Sequence, residues 1–155
     1  MNTQIKESQI WEEGKVNKLR RFIVTESKKQ TPERKLRNEL LSIKYQMQDY
    51  IEKDKIETEM RILDFVKLYL KLLKITQREL ATVFQMKDTN LYKYLIGERK
   101  LNPDIVLKLS SFSHTQPELW YYIQTKNELY VLRKEKAKLK EYKKYDYRNF
   151  VSLHK

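Results

Sequence analysis

Two short apolar stripes at helical spacing, separated by only a few positions, constrain the fold of this chain more than any other feature. Within residues 76–103, seven apolar side chains fall on one inward face when each stripe is read as a helix: Leu80, Ala81, Phe84, Met86, Leu91, Tyr94 and Leu95. Thr76 and Glu79 have the spacing of a capping box, in which each side chain accepts from a backbone N–H that lacks a helical partner. The region is therefore predicted to form two short helices joined by a tight turn.

The outward face of the second helix is polar and short enough to meet base edges in the major groove of DNA. Thr89, Asn90 and Lys93 are the predicted base readers, because Asn pairs with adenine, Lys donates to guanine and the Thr methyl contacts thymine. Phosphate contacts are predicted for a further set: Gln77, Lys87, Arg99 and Lys100.

Asp88 is the one acidic member of this predicted surface. An acid beside the DNA backbone is repulsive unless it accepts from cytosine N4 or caps the helix that it precedes. Both interpretations stay open from the residues, and capping is the favoured one.

The charge of the chain favours a polyanionic partner. Lys and Arg number 33 against 21 Asp and Glu, which gives a net charge of +12 over 155 residues. Charge alone does not choose among nucleic acid, an anionic membrane and the ribosome. Because there is no cysteine and there are only two histidines, a zinc finger, a disulfide scaffold and a cysteine nucleophile are excluded.

No cofactor or metal is expected, and no apolar run approaches the roughly 20 residues that a membrane span requires. A cytoplasmic protein is the simplest expectation. Gly and Pro number only 2 and 3, and alternating strand patterns are scarce, which predicts an all-α protein. Three regions are expected: an N-terminal helical extension at 1–55, a DNA-binding domain at 56–125 and a basic C-terminal helix and tail at 126–155.

Several helix starts are marked by caps. Thr31 with Pro32, and Asn102 with Pro103, each combine a capping side chain with a proline at the first helical position. The last helix is predicted to start near Gln116 and to run for about thirty residues, since no breaker occurs before Asp146. Its basic run from 133 to 144 is either a solvated helix face or an arm that tracks phosphates.

Three segments carry a resemblance to XRE-type helix-turn-helix regulators, and among these to HigA-like antitoxins. They are Thr-Gln-Arg-Glu-Leu-Ala at 76–81, Leu-Ile-Gly-Glu-Arg-Lys-Leu-Asn-Pro-Asp at 95–104 and Gln-Pro-Glu-Leu-Trp-Tyr-Tyr-Ile-Gln at 116–124. The resemblance implies a lambda-repressor-like core of five helices, a homodimer, a palindromic double-stranded DNA operator and a small ribonuclease toxin as second partner.

The family's DNA contacts fall on residues that the spacing also selects. The resemblance implies Gln77 for the backbone, the region around Arg99 for phosphate, and a groove-facing set of Lys87, Asp88, Thr89 and Lys93. Two positions depart from the family pattern, because Gln85 occupies the usual glycine of the turn and Ile96 replaces a frequent asparagine. A left-handed conformation at Gln85 would cost about 1 to 2 kcal/mol relative to glycine.

The leading hypothesis is a sequence-specific DNA-binding repressor that is not an enzyme, specifically the antitoxin of a HigB/HigA-like pair that represses its own operon. The alternatives are a free-standing XRE-type regulator and a protein-interaction scaffold of the same shape. A small basic ribonuclease, acting through Lys, Arg, Tyr and Glu, is the remaining one, but the sequence shows no convergent pair of such residues.

Overall fold

The computed structural model describes residues 14–25 and 30–151, and all regular structure in these two ranges is helical. In chain order the helices are α1 (residues 14–25), α2 (Pro32–Glu52), α3 (Ile62–Leu73), α4 (Gln77–Val83), α5 (Asp88–Leu95), α6 (Pro103–Ser113), α7 (Pro117–Lys134), α8 (Lys136–Glu141), a 3-10 turn η1 (Tyr142–Tyr145) and α9 (Tyr147–Val151). The predicted all-α fold is confirmed.

The chain divides into two compact units, Met1–Asn38 and Glu39–Lys155. In the first unit, every described side chain of α1 is exposed, including the apolar Val16, Leu19 and Phe22. The first unit also contains the start of α2, where the Arg34 N–H donates to Thr31 Oγ1 at 3.2 Å. The predicted cap at Thr31 and Pro32 is therefore confirmed.

One hydrophobic core occupies the second unit and receives side chains from α2 through α7. Its largest fully buried members include Trp120, Tyr69 and Phe65. The Tyr69 ring lies 6.0 Å from Phe112 and 6.5 Å from Trp120, and burial raises the pKa of Tyr69 to about 12. α2 contributes Ile43, Met47 and Tyr50 to this core. The core thus joins the end of the N-terminal region to the helices that follow it.

A hydrogen-bonded cluster ties the loop before α3 to α2 and α7. The Tyr50 hydroxyl donates to Asn127 Oδ1 at 2.5 Å and accepts from the Met60 N–H at 3.1 Å. Asn127 Nδ2 in turn donates to the Met60 carbonyl at 2.9 Å. Because the backbone of Met60 is satisfied in both directions, the loop enters α3 in a defined position.

The expected continuous helix from Gln116 to Asp146 is wrong. α7 ends at Lys134, and Glu135 leaves helical geometry with ψ at 72°. No residue between 131 and 151 is buried, so tertiary packing does not hold a long helix together there. The region instead forms α8, η1 and α9.

Candidate nucleic-acid interface

α4 and α5 form the pair that the apolar stripes predict. Leu80, Ala81, Phe84, Leu91 and Leu95 are buried, while Met86 and Tyr94 pack half-buried against the core. Thr76 Oγ1 accepts from the Glu79 N–H at 3.1 Å, and Glu79 Oε2 accepts from the Thr76 N–H at 2.8 Å. The predicted capping box is confirmed, and it sets the first residue of α4 at Gln77.

The turn between α4 and α5 is made by a left-handed residue at Gln85, with φ at 56°. The Gln85 N–H donates to the Thr82 carbonyl at 3.0 Å, and the Met86 N–H donates to the Ala81 carbonyl at 3.0 Å. These bonds close the end of α4 in the manner usual for a helix that stops at a left-handed residue. Gln85 therefore adopts the left-handed geometry for which such a turn usually has glycine, and the hydrogen bonds of the turn are formed.

Asp88 has a role that the sequence did not reveal. Gln77 Nε2 donates to Asp88 Oδ1 at 2.7 Å, which joins the first residue of α4 to the first residue of α5. The predicted capping role of Asp88 is wrong, because the cap position of α5 is Lys87 and its side chain makes no capping hydrogen bond. Since an amide nitrogen carries two hydrogens, Gln77 keeps a second donor and its carbonyl oxygen for other contacts.

Thr89 and Lys93 share the outward face of α5. They are four residues apart and hence about 40° apart around the helix, on the side opposite the buried Leu91 and Leu95. Thr89 is exposed and Lys93 is half-buried. Asn90 lies about 100° from Thr89, nearer the packed side, and is half-buried. The three predicted base readers thus stand on one accessible half of the helix, with Asn90 at its edge.

The basic residues predicted to meet phosphates flank this helix at both ends. Lys87 is exposed immediately before α5, and Arg99 and Lys100 are exposed in the loop after it. The chain turns into that loop at Gly97, where φ is 83°. The Arg99 N–H then donates to the Lys93 carbonyl at 3.0 Å, which folds the loop back onto the end of α5.

Three residues that the sequence analysis did not assign to the site hold this loop. The Arg99 guanidinium lies 6.0 Å from the centre of the Tyr94 ring, and Asn102 Nδ2 donates to the Tyr94 hydroxyl at 3.3 Å. Gln124 Oε1 on α7 accepts from the Leu101 N–H at 2.6 Å. Of these three residues, only Asn102 stands out in the sequence, because it forms a cap signal with Pro103. The other contacts join residues from different elements, so the sequence does not reveal them.

The comparison with protein families gives one finding. A model described as helix-turn-helix matches residues 66–117, which run from α3 to the start of α7. This part of the chain is a helix-turn-helix domain. The match supports a DNA-binding regulator of the XRE type. No curated protein and no solved structure gave a match to the chain.

Within the helix-turn-helix domain, α5 occupies the position of the recognition helix and α4 that of the helix that crosses the backbone. Four basic side chains surround α5 or lie on it, namely Lys87, Lys93, Arg99 and Lys100, against two acidic ones, Asp88 and Glu98. With four cations against two carboxylates, this surface is polar and carries a net positive charge, although Asp88 keeps its negative charge when it accepts from the neutral Gln77 amide.

Residues 14–25 and 30–151 contain no cluster of three or more His, Asp or Glu side chains suited to holding a metal ion. No helix in the same ranges combines the length and the apolar character needed to cross a membrane.

Proposed function

We propose that this protein is a sequence-specific DNA-binding repressor that reads its operator with α5. The observation that carries the proposal is the outward pair Thr89 and Lys93, presented on a helix whose position is set by the capped α4 and by the bond between Gln77 and Asp88. Asn90 adds an amide at the edge of the same surface, and the flanking cations supply contacts to phosphate.

The double variant Thr89→Ala with Lys93→Ala tests this assignment. Sequence preference, measured by selecting bound duplexes from a random pool, should be lost, because each good base contact is worth about 1 to 3 kcal/mol of discrimination. The matched control is Thr125→Ala with Lys67→Ala, which makes the same chemical changes at exposed positions of α7 and α3. A double variant that selects the same sequences as the unaltered protein would contradict the proposal.

We further propose that the repressor acts as a homodimer on a palindromic operator. A two-fold symmetric site places identical α5 helices in successive turns of the groove, about 34 to 36 Å apart. Sedimentation of the protein with and without the selected duplex tests this point. Two protomers on one duplex are expected, and a single protomer on an asymmetric site would refute the dimer.

The finer proposal is the antitoxin of a HigB/HigA-like pair, with a small ribonuclease toxin as its second partner. The motifs at 95–104 and 116–124 support it, and the second of these supplies the buried Leu119, Trp120 and Ile123. The test is to express the adjacent reading frame alone and together with this protein. We expect the product of the adjacent reading frame to arrest growth when expressed alone and this protein to relieve the arrest. If the neighbouring product is harmless, the antitoxin proposal fails and a free-standing regulator is the remaining interpretation.

A further inference from the structure

The last part of the described chain carries a concentration of positive charge that the helix-turn-helix domain does not use. Residues 133–148, called the basic segment from here on, contain eight Lys and Arg and three Asp and Glu. Subtracting three from eight gives a net charge of +5, which is a large share of the chain's +12. A segment so charged is attracted to polyanions and repels itself.

The acidic residues of the basic segment are all committed to ion pairs inside it. Lys138 pairs with Glu135 at 3.4 Å, Lys144 with Glu141 at 3.6 Å, and Arg148 with Asp146 at 2.6 Å. In the part of the chain that the structure describes, five cations of the segment have no carboxylate partner: Arg133, Lys134, Lys136, Lys140 and Lys143. These five are available to an external anion.

Packing gives the basic segment no structural role. No residue from 131 to 151 is buried, and its larger apolar side chains, such as Leu139, Tyr142 and Tyr145, are exposed. The rings of Tyr142 and Tyr145 lie 5.6 Å apart and contact each other. Because these rings are paired rather than spread apart, they do not present the successive platforms on which single-stranded bases stack. Their hydroxyls can still donate to phosphate.

The start of the basic segment lies close to the loop that follows α5. Gln124 on α7 accepts a hydrogen bond from the Leu101 N–H. Farther along α7, Val131 lines the same groove as Gly97 and Lys100. The segment begins two residues after Val131, so its cations continue the positive surface that Arg99 and Lys100 begin. As α8 and η1, residues 136–145 extend over about 17 Å, roughly half a turn of duplex.

We propose that the basic segment contacts the phosphate backbone of duplex DNA beside the site that α5 reads. The inference rests on the proposed function, because it assumes that α5 is seated in the groove. Its contacts are to phosphates and carry no sequence information, so they add affinity and salt dependence to the recognition that Thr89 and Lys93 supply.

The experiment compares two triple variants that remove the same charge. Lys136→Gln, Lys140→Gln and Lys143→Gln alter the basic segment, and Lys55→Gln, Lys67→Gln and Lys71→Gln alter exposed positions before and on α3. Binding to a duplex of about four helical turns that carries the sequence selected from the random pool is measured over a range of salt concentrations. All six positions are exposed, and circular dichroism with thermal unfolding verifies that both variants fold.

Loss of three phosphate contacts should lower the slope of log affinity against log salt by about 2.7, and affinity at about 0.1 M salt should fall more than tenfold. The control should change the slope by less than about one. An unchanged slope in the first variant, or an equal change in the control, would overturn the inference. Tighter binding of a single strand of equal length, lost in the first variant, would also overturn it.

The same measurements separate this inference from the proposed function. If the unaltered protein binds no duplex, the proposed function and the inference both fail. If it selects a sequence tightly but the slope is insensitive to the basic segment, only the inference fails.

Discussion

Three residues other than glycine adopt a left-handed backbone in the described ranges, and each ends a helix: Lys74, Gln85 and His114. After each of them, the next N–H donates to a carbonyl five positions earlier, as in Ile75 to Leu70, Met86 to Ala81 and Thr115 to Ser110. The hydrogen bonds satisfy carbonyls that a helix end leaves without partners. At each of these positions, the conformational strain of the left-handed residue is offset by the hydrogen bonds that satisfy the helix end.

Gln85→Gly should stabilise the protein. A left-handed residue with a Cβ costs about 1 to 2 kcal/mol, and the extra entropy of glycine in the unfolded chain offsets about 0.5 to 1 kcal/mol of that. We expect a net gain of about 0.5 to 1 kcal/mol in the free energy of unfolding, measured by chemical denaturation. Gln85→Ala is the matched control, because it retains the Cβ. Equal stability of the two variants would show that the turn carries no such cost.

Asp88→Asn should strengthen DNA binding. The amide oxygen of asparagine can still accept from Gln77, so the bond between α4 and α5 is retained while a negative charge is removed from the DNA-facing surface. A unit charge about 6 Å from a phosphate in water is worth about 0.7 kcal/mol, which corresponds to about threefold in affinity.

The affinity of each variant for the selected duplex is measured by titration at low salt. Asp88→Ala is measured as well, because it removes both the charge and the hydrogen bond from Gln77 and so shows the effect of losing that bond. A fall in affinity confined to sites with one particular cytosine would instead assign Asp88 to base reading.

At the scale of elements, the position of the helix-turn-helix domain depends on contacts made outside the pair α4 and α5. The Tyr50 hydroxyl, Asn127 and the backbone of Met60 link α2, the loop before α3 and α7. Burial raises the pKa of Tyr50, so the neutral hydroxyl, which both donates and accepts, is the form present. A change at Tyr50 therefore affects three elements together.

Tyr50→Phe should destabilise the protein by about 1 to 3 kcal/mol, because Asn127 Oδ1 and the Met60 N–H would each lose a partner in a partly buried place. Tyr45→Phe in the same helix removes an equivalent hydroxyl from an exposed side chain and should have little effect. Thermal unfolding followed by circular dichroism compares the two. Equal losses of stability in the two variants would refute a structural role for the Tyr50 hydroxyl.

At the scale of the whole molecule, the core is larger than the helix-turn-helix domain. The family match covers residues 66–117, whereas the core also contains Ile43, Met47 and Tyr50 from α2 and Ile123 from α7. The described side chains of α1, by contrast, are exposed. The two parts of the N-terminal region should therefore differ in what they contribute to stability.

Removing residues 1–29 should leave the free energy of unfolding within about 0.5 kcal/mol of its original value. Removing residues 1–54 deletes three buried side chains, each worth about 1.5 to 3 kcal/mol, and should leave the remainder largely unfolded. Urea unfolding of both truncated chains makes the measurement. A chain of residues 55–155 with the original stability would show that α2 is dispensable.

The sequence predicted those features that depend on residues within one turn of each other. The box at Thr76 and Glu79 and the cap at Asn102 are of this kind. Thr115 shows where such reasoning ends, because with Glu118 it has the spacing of a capping box. It is instead buried, and its Oγ1 accepts from Trp120 Nε1 at 3.0 Å.

By itself the sequence determined the all-α class, the pairing of α4 with α5 and the outward set that includes Thr89 and Lys93, because helical periodicity and caps act over three or four residues. Only the tertiary structure decided three contacts: the hydrogen bond from Gln77 to Asp88, the packing of the Arg99 guanidinium on the Tyr94 ring, and the hydrogen bond from the Leu101 N–H to Gln124. These contacts join different helices, and the distances between helices are set by how their buried side chains fill one shared core.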